Sequence, residues 1–208
     1  MPPTLSSRTV VPRATRMARP ARRQQLVRAA AAAFLERGFD GTTMETVADH
    51  AGVTRMLVYR HFESKDALYR AVLGAAFEQL DVAFAPDATE SEAGVAGRLM
   101  AAARSEPDAF RLLWRHARHE PGFTADFDAF RRQATAFALD LLTPLIPDQQ
   151  RRRWSALAII DFLYGSVCNH LDDGDPARDH DFALHLHWGV VGMLAAWQQR
   201  DTANPGTL

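Results

Sequence analysis

The chain has 208 residues, 47% hydrophobic and 24% charged, with a formal net charge of -1; that is ample apolar material for a packed core. A single cysteine, Cys168, excludes an intrachain disulfide and fits a reducing, cytoplasmic setting. No apolar run approaches the roughly 20 residues that cross a bilayer, and no apolar signal core follows the basic N-terminus, so no membrane role is expected.

The near-zero charge hides an asymmetry. Residues 1–73 carry 12 Lys+Arg and 6 Asp+Glu, a net of +6, whereas residues 74–208 carry 12 and 19, a net of -7. A basic head on an acidic body points to a polyanion partner for the head alone.

Taken in chain order, residues 1–20 are rich in proline and arginine with no apolar period, and read as a disordered basic arm. A helix is predicted over Ala21 to Arg37, with Leu26, Ala30, Ala33 and Phe34 at spacings of three and four and Gly38 as its stop. Thr42 with Glu45 fits a capping box for a second helix, striped by Met44, Val47, Ala48 and Ala51 and ended by Gly52. Thr54 is placed to cap a third helix running to about His61. Ser64 caps a fourth, over residues 65–84, with Leu68, Val72, Ala75, Ala76 and Leu80 on one face. Beyond Pro86, helices are predicted near 90–104, 106–119, 124–145, 148–172 and 178–200, punctuated by prolines. No strand-like alternation stands out, so the expected fold is all-α.

The stretch from Thr42 to Lys65 reads as two short helices joined by a tight turn at Ala51-Gly52-Val53, a helix-turn-helix. Val53 and Val58 hold the second helix against the first. Arg55, Met56, Tyr59 and Arg60 are then left to project outward: bidentate donors, an apolar group suited to a thymine methyl, and an aromatic. Lys65, the only lysine in the chain, sits in the first turn of the fourth helix beside His61. Helix dipole and free N–H groups favour an anion there.

These residues carry a resemblance. The run Gly38-Phe39, Thr42-Thr43-Met44, Val47-Ala48, Ala51-Gly52-Val53-Thr54, Val58-Tyr59, His61-Phe62, Ser64-Lys65 and Leu68 is similar to the TetR/AcrR family of bacterial regulators. It covers about residues 21–75. The resemblance implies an all-helical homodimer whose first three helices bind DNA and whose remaining helices bind an inducer and dimerise. By that resemblance Thr43, Tyr59, His61 and Lys65 are phosphate or groove-edge contacts, and Arg55, Met56 and Tyr59 read bases. Thr42, Thr54 and Arg60 complete the expected DNA-binding set. Met56 stands where the family often has a small residue, and apolar Leu57 where it often has a polar one.

The implied organisation is an arm at 1–20, a helix-turn-helix domain at 21–66, a regulatory and dimerisation domain at 67–200, and a tail at 201–208. The second domain is rich in aromatics, and Phe110, Trp114, Phe127, Tyr164 and His170 are the candidates for an effector pocket accepting a largely apolar or cationic molecule. His116 with His119, His185 with His187, and the acidic run Asp172, Asp173, Asp175 lack the further ligands of a metal site, so neither metal nor cofactor is expected. The helices at 155–171 and 184–197 are apolar on more than one side, which suits the homodimer interface implied by the resemblance. The expected function is a sequence-specific DNA-binding transcriptional regulator, a ligand-responsive repressor on a palindromic operator. The alternatives are a helical enzyme and a protein–protein adaptor. The first is opposed by the absence of nucleophile-elbow, P-loop, dinucleotide or zincin motifs, the second by the basic head.

Overall fold

The computed structural model describes residues 18–85 and 88–203, and among them there are nine α-helices and no strand. Most of the expected basic arm, and the tail beyond residue 203, lie outside the described residues.

The first helix, α1 (Arg19–Gly41), starts two residues before its predicted start, because Pro20 occupies its first turn. Proline has no amide proton to leave unsatisfied there. Gly38 breaks the helix with φ 71°, and the last turn continues beyond the break to Gly41. Next come α2 (Met44–Ala51) and α3 (Arg55–His61). Gly52 joins them in the left-handed conformation, φ 63° and ψ 38°, its N–H bonded to the Ala48 carbonyl. That backbone is strained for residues with a Cβ, which is why glycine stands at the turn. Leu26, Ala30, Phe34, Val47, Ala48 and Val58 are fully buried between the three helices. Gln25 Nε2 donates to the Ala51 carbonyl at 2.9 Å and fastens the turn to α1.

From this head α4 (Lys65–Phe84) runs into the second half, capped by Ser64, whose hydroxyl accepts from the Ala67 amide. An aromatic cluster seals the junction. Phe34, Phe39, Tyr69 and Phe123 stack with centroid separations of 4.3 to 5.9 Å. An ion pair lies across the same junction. Arg28 on α1 grips Glu106 through Nε, at 3.0 and 3.1 Å, and Nη2, at 2.7 Å.

Helix α5 (Gly94–Ser105) packs between α4 and α9, and Glu106 separates it from α6 (Pro107–Arg111). The segment predicted as one helix at 106–119 changes winding. A π turn spans Leu112–His116 and a 3-10 turn Ala117–His119. Then come α7 (Thr124–Leu142), α8 (Gln149–Asp173) and α9 (Asp179–Ala203), with α7 laid against α8. The predicted end of α7 at residue 145 is three residues too long, since Pro144 removes the amide the next turn needs. A single buried core runs unbroken from α1 through α8 into α9.

Candidate nucleic-acid interface and core cavity

Helix α3 turns most of its surface to water. Only Val58 of its seven residues is buried, and that one side chain anchors the helix in the head. Met56 is 81% exposed. Tyr59 is exposed, and Arg55 lies over its ring at 5.3 Å while Arg55 Nη2 donates to the Tyr59 hydroxyl at 3.4 Å. The two side chains therefore brace each other in a water-facing position. Arg60 is exposed alongside, and Thr54 is exposed too, its hydroxyl not used as a cap.

The capping expectation is corrected. Thr42 is 1% exposed, and its hydroxyl donates inward, to the carbonyls of Gly38 at 2.7 Å and Ala33 at 3.1 Å. The hydroxyl thus points into the head, toward α1, rather than to the surface. The cap of α2 is Thr43, whose hydroxyl accepts from the Thr46 amide, with Thr46 reaching back to the Thr43 amide. Thr43 remains exposed at the start of α2, where free amides favour an anion.

Lys65 is half-buried rather than fully extended. Its Nζ donates to the Phe39 carbonyl at 2.7 Å and lies 4.2 Å above the Phe39 ring. One of its three donors thus ties α4 to the kinked end of α1, and two are left for solvent or a phosphate.

Arginines that the motif did not signal enlarge the basic face. Arg19, Arg22 and Arg23 of α1 come close to α3. Burial lowers the affinity of His61 for a proton, and Arg19, Arg60, Arg22 and Arg23 lower it further. Arg23 also lies 5.0 Å over the Phe62 ring. The signal was present as an Arg19-x-x-Arg22-Arg23 spacing on one helical face, but residue 19 fell in what read as an arm. Positive charge therefore flanks the exposed face of α3 from two elements.

The second half holds a cavity of about 490 Å³ between α4, α5, α7, α8 and α9. Of the five expected pocket residues, Tyr164 lines it. Phe110, Trp114 and Phe127 form the layer around and behind Tyr164, with Phe110 and Trp114 stacked on its ring at 5.6 and 5.0 Å. His170 lies elsewhere. Its ring stacks on Phe182 at 4.0 Å, and its Nε2 is 2.9 Å from Asp179, which also receives two hydrogen bonds from Arg104. Beyond the five named candidates, the cavity walls include the pairs Phe77–Phe130 and Phe84–Phe137, at 5.8 and 4.9 Å, of which the α4 members Phe77 and Phe84 carried no pocket expectation. Each pair joins α4 to α7, and each helix repeats its phenylalanine at an interval of seven residues, the period that returns a side chain to one face.

Among the described residues, no group of three or more His, Cys, Asp or Glu is placed to hold a metal. Asp172 of the acidic run is bound instead by Arg111 and Arg115. Burial favours its protonated form, but the two guanidiniums outweigh burial and hold the carboxyl below its ordinary range.

A profile described as "Bacterial regulatory proteins, tetR family" matches residues 26–72, the stretch from α1 into α4. The HTH-type transcriptional activator FasR of Mycolicibacterium smegmatis is 46% identical over 61 residues, 29% of this chain and 28% of that protein. The HTH-type transcriptional regulator TtgR of Pseudomonas putida is 42% identical over 59 residues, 28% of each chain. The matched stretches thus span little more than a quarter of these relatives. The whole fold is matched by solved structures. A TetR-like transcriptional regulator from a Rhodococcus species superposes with a TM-score of 0.65 at 22% identity, covering 85% of this chain and all of that one. A transcriptional regulator from Pseudomonas aeruginosa gives 0.61 at 19% identity, covering 89% and 96%.

Proposed function

We propose that the chain, whose residues 26–72 match the tetR family of bacterial regulatory proteins, is a homodimeric, ligand-responsive transcriptional regulator that binds a near-palindromic DNA operator in the cytoplasm. The observation that carries the reading is α3. Arg55, Met56, Tyr59 and Arg60 face water with no structural duty beyond the Arg55–Tyr59 brace, inside a field of arginines. In the major groove Arg55 suits guanine O6 and N7, and Met56 suits a thymine methyl. Thr43, Thr54, His61, Lys65 and the arginines of α1 lie where phosphates flank the groove, so they set affinity and register rather than sequence.

The head at 21–66 is the DNA-binding unit and 67–200 the regulatory one, with α4 shared between them. No helix among the described residues is long and apolar enough to cross a membrane. Trp154 on α8 and Trp188 and Val191 on α9 are exposed large apolar side chains, which supports pairing of α8 and α9 with a second copy about a two-fold axis. Two α3 helices would then enter successive major grooves about 34–36 Å apart. A small molecule in the cavity acts through α4, whose first residue is Lys65 and whose Phe77, Leu80 and Phe84 line the cavity wall. It shifts DNA affinity only to the extent that it binds one of the two states better. Names among the relatives include both an activator and a repressor; we propose that this chain represses. The test is a mobility shift on the DNA upstream of the chain's own gene, with light scattering at micromolar concentration. A salt-sensitive, sequence-specific shift by a dimer supports the proposal; a monomer, or equal affinity for random DNA, overturns it.

A further inference from the structure

The cavity carries more chemistry than its size. At 490 Å³ it has room for about 16 non-hydrogen atoms, at the ~30 Å³ that a small molecule such as water occupies in the liquid. Its walls are almost wholly carbon. The polar lining residues are Asp81, Gln133, Tyr164 and His187; among the described residues no lysine or arginine lines it, and Arg98 lies over the ring of the wall residue Phe84, 5.8 Å from its centroid. Asp81 is exposed and already accepts from Gln133 Nε2 at 2.7 Å.

Tyr164 is different. It is 6% exposed, and its ring is fixed by Phe110, Trp114 and Phe130. Its hydroxyl makes no hydrogen bond among the described residues, yet it is not sealed away as the unpartnered Tyr69 hydroxyl is. Burial raises its pKa, so the group is a neutral donor and acceptor. A ligand oxygen placed against that hydroxyl gains a hydrogen-bonding partner in an otherwise apolar wall.

Resting on the effector reading above, we infer that the ligand is an uncharged, mainly aliphatic molecule with one hydrogen-bonding oxygen, which the Tyr164 hydroxyl meets. An anion entering the cavity loses its hydration and meets no lysine or arginine in the described lining. A cation fares little better, because the only carboxylate is solvated and already paired.

The test uses the full-length dimer and three probes of one chain length, decan-1-ol, decanoate and decylammonium, below their micellar concentrations. Binding is read from tryptophan fluorescence, since Trp114 stacks on Tyr164. Decan-1-ol binds at least ~10-fold more tightly than either ion, as follows from burying a charge without a partner. Tyr164→Phe weakens decan-1-ol by about three- to tenfold, the worth of one hydrogen bond, and leaves 1-chlorodecane unchanged. Ala138→Trp, which fills the cavity, abolishes binding of all of them. If the phenylalanine variant misfolds, decan-1-ol against 1-chlorodecane on the unaltered protein makes the same comparison. Decanoate or decylammonium binding as tightly as decan-1-ol overturns the inference. So does the absence of binding by any probe, or binding only after dilution has dissociated the dimer, which would make the cavity the seat of a second copy. Each probe is then added to the operator mobility shift. If decan-1-ol binds as expected but DNA affinity does not change, the ligand class stands and the effector reading fails. If DNA affinity responds to decanoate alone, the effector reading stands and this inference fails.

Discussion

The Arg28–Glu106 pair offers the sharpest perturbation, because it is an ion pair that ties α1 of the head to the start of α6. The Glu106 side chain is 8% exposed, whereas that of Arg28 is 58% exposed. Removing one partner of a fully buried pair costs about 3–5 kcal/mol, because the other charge is left unpaired in a poor solvent. Water reaches the Arg28 side of this pair, so the cost of Arg28→Ala is discounted to about 2 kcal/mol. For a chain of this length that lowers the melting temperature by about 4–8 °C. Glu106→Ala leaves only a guanidinium that water can reclaim, at about 1 kcal/mol. The double variant contains neither charge and also costs about 1 kcal/mol, so the two single effects fail to add by about 2 kcal/mol. Urea denaturation of the four proteins in one buffer measures this. If the single effects add to within about 0.5 kcal/mol, the carboxylate is not held by Arg28 in the way the geometry indicates, and the reasoning fails.

The basic face gives three further outcomes. Lys65→Met weakens binding to all DNA sequences alike and reduces the salt slope by about one unit; it also lowers the melting temperature, because the bond to the Phe39 carbonyl is lost. An unchanged salt slope in a titration series would remove Lys65 from the phosphate contacts. Arg55→Ala costs about 1–3 kcal/mol on the operator and far less on random DNA, by competition mobility shift; equal losses on both would make it a phosphate contact. His61 has a lowered pKa through burial and the nearby Arg19, Arg60, Arg22 and Arg23, so near neutral pH it is uncharged in the free protein. Its contribution to stability is present above the ordinary value of about 6.5 and is lost as the pH falls below that. Phosphates favour the charged form, so DNA binding takes up a proton and tightens as the pH drops below about 6.5. Mobility shifts across that range with the native protein and His61→Gln test this; identical pH profiles would exclude His61.

The sequence by itself determined whatever depends on neighbours along the chain. Gly52 announced the left-handed turn, Ser64 the cap of α4, and the Val47, Ala48, Val58 pattern the packing of α2 and α3. Arg55, Met56, Tyr59 and Arg60 faced outward because a short helix anchored by Val58 leaves them nowhere else to go. The tertiary structure decided what depends on contacts between distant segments. Thr42 turned inward, where its hydroxyl bonds the Ala33 and Gly38 carbonyls of α1, rather than capping α2. His170 was taken by Asp179 and Phe182 from the following helix rather than by the cavity. Phe77 and Phe84 became cavity wall only because α7 lies opposite with Phe130 and Phe137. A periodic pattern fixes which face of a helix is apolar, but it contains no term for which helix that face meets, or for whether the two faces close completely. Here they leave about 490 Å³ open, a volume set by the fit of five helices and by no one of their sequences.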